Sequence, residues 1–136
     1  MAAAAGPSAR EAPASLAGLF QAPCDALVLR VEPATAPAGL TAVVDWRLAA
    51  RLSRLVRDAG LPADAPLLVP GSPLLPPTRL LLLRAAALTP PALAARLRAL
   101  GAAPVGLCPE DFGWKPAELV AALGDLPHVL YRGPAA

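Results

Sequence analysis

Apolar positions follow two different spacings along this chain. The run Asp25 to Val31 (DALVLRV) is compact and stops at Glu32 and Pro33, and its valines and leucines predict a buried strand. From Val44 the spacing changes. Val44, Leu48, Leu52, Leu55 and Ala59 recur every three to four residues, while Arg47, Arg51, Arg54 and Asp58 share the other face, which predicts one amphipathic helix. Asp45 is placed to cap its first turn and Gly60 to take the left-handed position after its last. Leu67 to Val69 and Arg79 to Arg84 predict two further strands, separated by the turn-rich GSPLLPP. The tetrad Leu80 to Leu83 shows no polar alternation, as in a central strand covered on both faces. Thr89 and Pro90 open a second helix striped by Leu93, Leu97 and Leu100 up to Gly101.

Val105 to Cys108 predicts another strand, followed by a loop from Pro109 to Trp114, a helix from Pro116 to Gly124 and a last strand from His128 to Tyr131. Leu16 to Phe20 is read as an additional edge strand, and residues 1–15 as a disordered Ala/Pro-rich tail. Strands alternating with helices require right-handed crossovers and a mostly parallel sheet between helical layers. The expected fold is therefore a three-layer α/β/α sandwich forming a single domain over residues 16–136.

Composition narrows the function more than it defines it. The 136 residues are 56% hydrophobic and 16% charged, which suits a chain that buries a core. The formal net charge is +2, with no run of Lys or Arg, so neither nucleic acid nor an anionic membrane is expected as partner. The first residues carry no signal-peptide pattern, and the densest apolar stretch, Leu67 to Leu88, is interrupted by prolines and by Arg79 and Arg84. A cytoplasmic protein is expected. Cys24 and Cys108, far apart and without CxxC spacing, are read as buried thiols.

Chemistry-bearing motifs are scarce. His128 is the single histidine and is read as structural, which excludes a multi-His metal site. Glu110 and Asp111 are the one adjacent acidic pair and suit a solvated loop or a helix start better than a metal site. Ser72 follows Gly71 in a loop after a strand, a place where a phosphate could approach, but the neighbouring prolines explain that turn more simply. No glycine-rich nucleotide motif occurs, and no cofactor or metal is expected. Arg47, Arg51 and Arg54, with Trp46 nearby, are read as a solvated helix face. Phe112, Trp114 and Lys115 form the candidate contact loop, weighed against simple packing onto the sheet.

Three segments together resemble the N-terminal domain of the leucyl (cytosol) aminopeptidase family. They are DALVLRV, VDWRLAARLSRLVRDAG (Val44 to Gly60), and the pair LLVP (Leu67 to Pro70) with RLLLLR (Arg79 to Arg84). The resemblance implies a macro-domain-like α/β fold. In that family the metals and catalytic carboxylates lie in a larger C-terminal domain with an Asn-Thr-Asp-Ala-Glu-Gly-Arg-Leu signature, and this chain contains no Asn. A stand-alone, non-catalytic domain is expected, without a peptidase site. In ligand-binding macro domains the Asp-Ala-Leu-Val strand leads into an Asn-rich run that engages ADP-ribose; here Leu29, Arg30, Val31 and Glu32 follow. The resemblance therefore points first to protein contacts, as a homo-oligomer or with a protein partner. The alternative is a small-molecule or nucleotide-derivative module using a macro-type crevice.

Overall fold

The computed structural model describes residues 9–33 and 35–133. Its elements, in chain order, are β1 (Ala9–Pro13), α1 (Leu16–Gln21), β2 (Ala26–Arg30), α2 (Gly39–Arg47), α3 (Arg51–Ala59), β3 (Leu67–Pro70), β4 (Arg79–Leu83), α4 (Pro90–Leu100), β5 (Val105–Leu107), α5 (Pro109–Phe112), α6 (Pro116–Leu123) and β6 (His128–Arg132). The six strands form one sheet in the order β1-β6-β5-β2-β4-β3. Every neighbouring pair is parallel except β3 with β4, which is antiparallel.

The two central leucine-rich strands organise the layers. In β2 and β4 successive side chains point to opposite faces. Leu27, Leu29, Leu80 and Leu82 join Val44, Leu52 and Val56 of α2 and α3 on one side, while Val28, Leu81 and Leu83 join Leu93, Leu97, Leu119 and Leu123 of α4 and α6 on the other. The expected α/β/α sandwich with a mostly parallel sheet is thus the observed fold. Gly106 in β5 is fixed by packing: a Cβ there would stand 2.6 Å from both Cys24 Sγ and Tyr131 Cε2. Cys24 and Cys108 are buried free thiols. Among the described residues no helix is long and apolar enough to cross a membrane.

Besides the short helix α5 that occupies most of the loop expected from Pro109 to Trp114, three expectations need correction. Residues 9–15 of the expected tail belong to the fold: β1 pairs in parallel with β6 from Ala9↔His128 to Pro13↔Arg132, and Ser15 caps the helix that follows. Residues 1–8 lie outside the described residues. Leu16–Gln21 is a helix and not an edge strand. Ser15 Oγ accepts the Gly18 amide at 3.1 Å, and Leu19 turns inward while Phe20 stays 53% exposed, a helical alternation over too few residues to separate from a strand by period.

The third correction concerns the helix expected from Val44 to Gly60. The structure holds two helices, α2 and α3, separated by Ala49 and Ala50 at φ 56° and 64°. Left-handed backbone costs an L-residue about 1–2 kcal/mol, so the break requires compensation. Asp45 supplies part of it from inside α2. Its buried carboxylate accepts the Ser53 amide at 3.1 Å and the Ser53 hydroxyl at 2.5 Å, capping α3 across the break. The expected capping chemistry exists, but for the next helix. Gly60 ends α3 where expected, but at φ 80° and ψ 167°, a positive-φ extended conformation and not the left-handed helical one. Asp45→Ala is expected to lower stability by about 1–2 kcal/mol, the usual cost of a lost cap, while Ala50→Gly leaves stability unchanged or raises it. Urea unfolding of both variants checks this pair of outcomes.

Candidate ligand-binding crevice

The parallel strands β2, β4 and β5 all end on one side of the sheet, where open α/β sheets place ligands. β2 runs on there: the Val31 amide donates to the Leu83 carbonyl, and Glu32 Oε2 accepts both the Ala85 amide and Arg30 Nε at 2.9 Å. This one carboxylate ties the ends of β2 and β4 together. Burial pushes its pKa up, but the Ala85 amide, the Arg30 guanidinium and the nearby charge of Arg84 outweigh that and hold it below the usual carboxylate value.

Beyond Glu32 the chain crosses residues 33–38 and enters α2. The residue before that helix, Ala38, has no side chain able to cap it. The cap arrives from elsewhere in the chain. Asp111, in α5 just beyond β5, accepts the Leu40 amide at 2.9 Å, and the approach is so close that a Cβ on Gly39 would overlap the carboxylate. Gly39 also has φ +57°. Its neighbour Glu110 accepts the Gly133 amide and Arg132 Nε, both at 3.0 Å, fastening α5 to the end of β6. The acidic pair lies at a helix start, as the sequence suggests, and each carboxylate acts as a backbone clamp.

These clamps frame a crevice with two arms. The wide arm, about 740 Å³, is walled by Val31, Leu52, Val56 and Leu61 and edged by Glu32, Arg57 and Arg84. The narrow arm, about 230 Å³, is lined by Arg30, Glu32, Glu110 and Asp111 together with residues 35–38. Thr41 and Ser53 also reach the wide arm, but their hydroxyls already donate, to the Arg30 carbonyl and to Asp45. Among the described residues no three His, Cys, Asp or Glu side chains gather as metal ligands.

Of the residues singled out in the sequence, Glu110 and Asp111 line the narrow arm and the others lie elsewhere. Phe112 and Trp114 stack with centroids 4.6 Å apart at 15°, Phe112 is buried in the second core, and Trp114 packs against it. Lys115 is exposed. None of the three lines the crevice. Gly71 and Ser72 sit at the opposite end of the sheet, because β3 runs antiparallel and delivers its loop to where the parallel strands begin. There Gly71 donates to the Thr78 carbonyl, and Asp25 accepts from Thr78 and Arg79. His128 is buried, with Nδ1 2.9 Å from the Leu126 carbonyl oxygen. The crevice residues missed in the sequence are Arg84 and Arg57. Arg84 carried one usable signal, since it directly follows an apolar tetrad at the carboxyl end of a central strand.

Asp111 provides a pH test. Burial raises its pKa above the ordinary aspartate value despite the Leu40 amide, so the folded state binds that proton more tightly than the unfolded chain does. Its contribution is therefore most favourable below the unfolded pKa and is lost as pH rises through the folded one. Asp111→Asn keeps an acceptor for Leu40 without the charge. It is expected to melt higher than wild type at neutral pH, with the gain shrinking as the buffer is taken below the aspartate range. Thermal unfolding across pH measures both arms.

No protein-family model matches the chain, and no curated protein sequence matches it. Solved structures do. The chain is similar to the macrodomain of Mycobacterium tuberculosis DarG, with a TM-score of 0.63 at 16% identity, covering 96% of this chain and 100% of that one. It is also similar to the macrodomain of Thermus aquaticus DarG, with a TM-score of 0.59 at 16% identity over the same shares. At such identity the likeness establishes architecture, and the chain has a macro-domain-like α/β fold.

Proposed function

We propose that this protein is a binding module without catalysis of its own, and that its ligand is a small molecule or nucleotide derivative held in the crevice. The observation that carries this reading is the wide arm itself. Its volume falls within the range of about 300–1,000 Å³ common for ligand sites, and it opens at the carboxyl ends of parallel strands. The macro-domain-like fold supports it by analogy, since ligand-binding macro domains engage ADP-ribose. Binding is favoured over chemistry because Glu32 and Asp111, the carboxylates flanking the loop into α2, are already committed to backbone amides. Titration of the ¹⁵N-labelled protein with ADP-ribose is expected to move the amide resonances of Glu32, Thr35, Leu40 and Ala85. Resonances that stay fixed there at saturating nucleotide would remove the nucleotide-derivative form of the proposal.

A second reading, protein contact, is favoured by one residue. Trp46 on α2 is 78% exposed and stands over a shallow depression with Ala42, Ala49 and Ala50. A tryptophan left this open is the kind of side chain that anchors interfaces. This is the form in which a non-catalytic domain resembling the aminopeptidase N-terminal domain would act, by self-association or docking. The Phe112 to Lys115 loop offers less, because its two aromatic rings are engaged with each other and with the core. Light scattering is expected to show self-association that Trp46→Ala weakens. A strict monomer in both proteins argues against self-association.

A further inference from the structure

The two arms of the crevice differ in charge and in what their polar groups have left to offer. In the narrow arm Glu32, Glu110 and Asp111 outnumber their cations: Arg30 Nε pairs with Glu32 and its Nη1 donates to the Asp111 carbonyl, while Arg132, outside the lining, pairs with Glu110. The start of α2, where backbone amides would otherwise invite an anion, is occupied by the Asp111 carboxylate. An incoming anion meets negative charge there.

The wide arm is the reverse. Its hydroxyls on Thr41 and Ser53 are spent, and its one carboxylate, Glu32, is taken up by Ala85 and Arg30. Arg84 is not. Its Nη2 donates to the Leu61 carbonyl at 3.2 Å, which holds the guanidinium at the crevice wall. Among the described residues its Nη1 has no hydrogen-bond partner, and its buried Nε has none either. Buried polar nitrogens are rarely left unpaired. Arg57, on the same rim, adds a second guanidinium, with only a loose 3.8 Å contact to Asp58. The walls between them are Val31, Leu52, Val56 and Leu61.

We propose that the wide arm is a subsite for an amphipathic anion, an apolar or aromatic body bearing a carboxylate or phosphate, with Arg84 receiving the oxyanion. This rests on the crevice reading above and sharpens it. The anionic group of the ligand is recognised at the end of β4, and the amides opening α2 play no part in holding it. The aliphatic walls enclose the body, and the unspent donors of Arg84 supply a charge-assisted bond in a partly desolvated setting.

The test uses the full chain with three probes of one shape, phenyl phosphate, benzoate and benzyl alcohol, followed by amide chemical shifts. The anionic probes are expected to move Val56, Leu61 and Ala85, with benzyl alcohol binding about tenfold more weakly, as loss of a hydrogen bond to a charged group implies. Comparing phenyl phosphate with benzoate identifies which oxyanion is preferred. Arg84→Gln should weaken the better anion about tenfold, whereas Asp111→Asn should not. If Arg84→Gln fails to fold, Arg57→Gln, which changes an exposed side chain, together with a salt titration of wild type supplies the same readout. Equal binding of neutral and anionic probes overturns the proposal, as does indifference to Arg84, or to Arg57 and salt where the second variant is used. Shifts confined to Leu40 and Asp111 overturn it too. ADP-ribose run on the same samples separates the two readings. Equal ADP-ribose binding by wild type and Arg84→Gln removes the subsite and keeps the crevice; phenyl phosphate binding without ADP-ribose binding does the opposite.

Discussion

Strands β2 and β4 expose almost no side chain to water on either face. Ala26 through Leu29 and Leu80 through Leu83 are all at or below 5% exposure. Covering them requires helices above and below the sheet, and each helical connection between parallel neighbours must cross in the right-handed sense. From that constraint follow the separation of α2 and α3 from α4 and α6, and the gathering of strand ends along one edge. The crevice lies there, between the strand ends, the segment entering α2, and α3 on one side and α5 on the other.

The carboxyl edge of such a sheet exposes backbone amides that no strand partner can satisfy. This chain closes several of them with its own carboxylates. Glu32 accepts Ala85, Asp111 accepts Leu40, and Glu110 accepts Gly133. The acids therefore rigidify the edge and at the same time make the narrow arm unwelcoming to anions. Arg84 follows a different logic, held by one nitrogen while its others lack partners among the described residues. A single loop chemistry thus sets both the stiffness of the crevice and its polarity.

Much of the architecture was legible along the chain. The strands around Val28, Leu81 and Leu130 were marked by short apolar runs, and α4 by Thr89, Pro90 and Gly101, each of which sits where its local chemistry suits it. The site was far less legible. The aromatic pair Phe112 and Trp114 drew attention by its composition, yet it packs inward, because a short helix after β5 turns Phe112 onto the second core. Arg84 looked like a flank to an apolar tetrad, since nothing local distinguishes a solvated arginine from one that lines a cleft.

The sequence by itself determined which segments are strands or helices wherever apolar period and capping residues agreed, and so determined the layered α/β class. Tertiary structure alone decided three further things: the break at Ala49 and Ala50, the recruitment of Ala9–Pro13 as an edge strand beside β6, and the cap that Asp111 places on α2. The reason is common to all three. Alanine is the strongest helix former, so a left-handed pair of alanines leaves no local trace. A parallel edge strand is specified mostly by its partner's backbone. A hydrogen bond between residues 71 positions apart is written in no window of neighbouring residues.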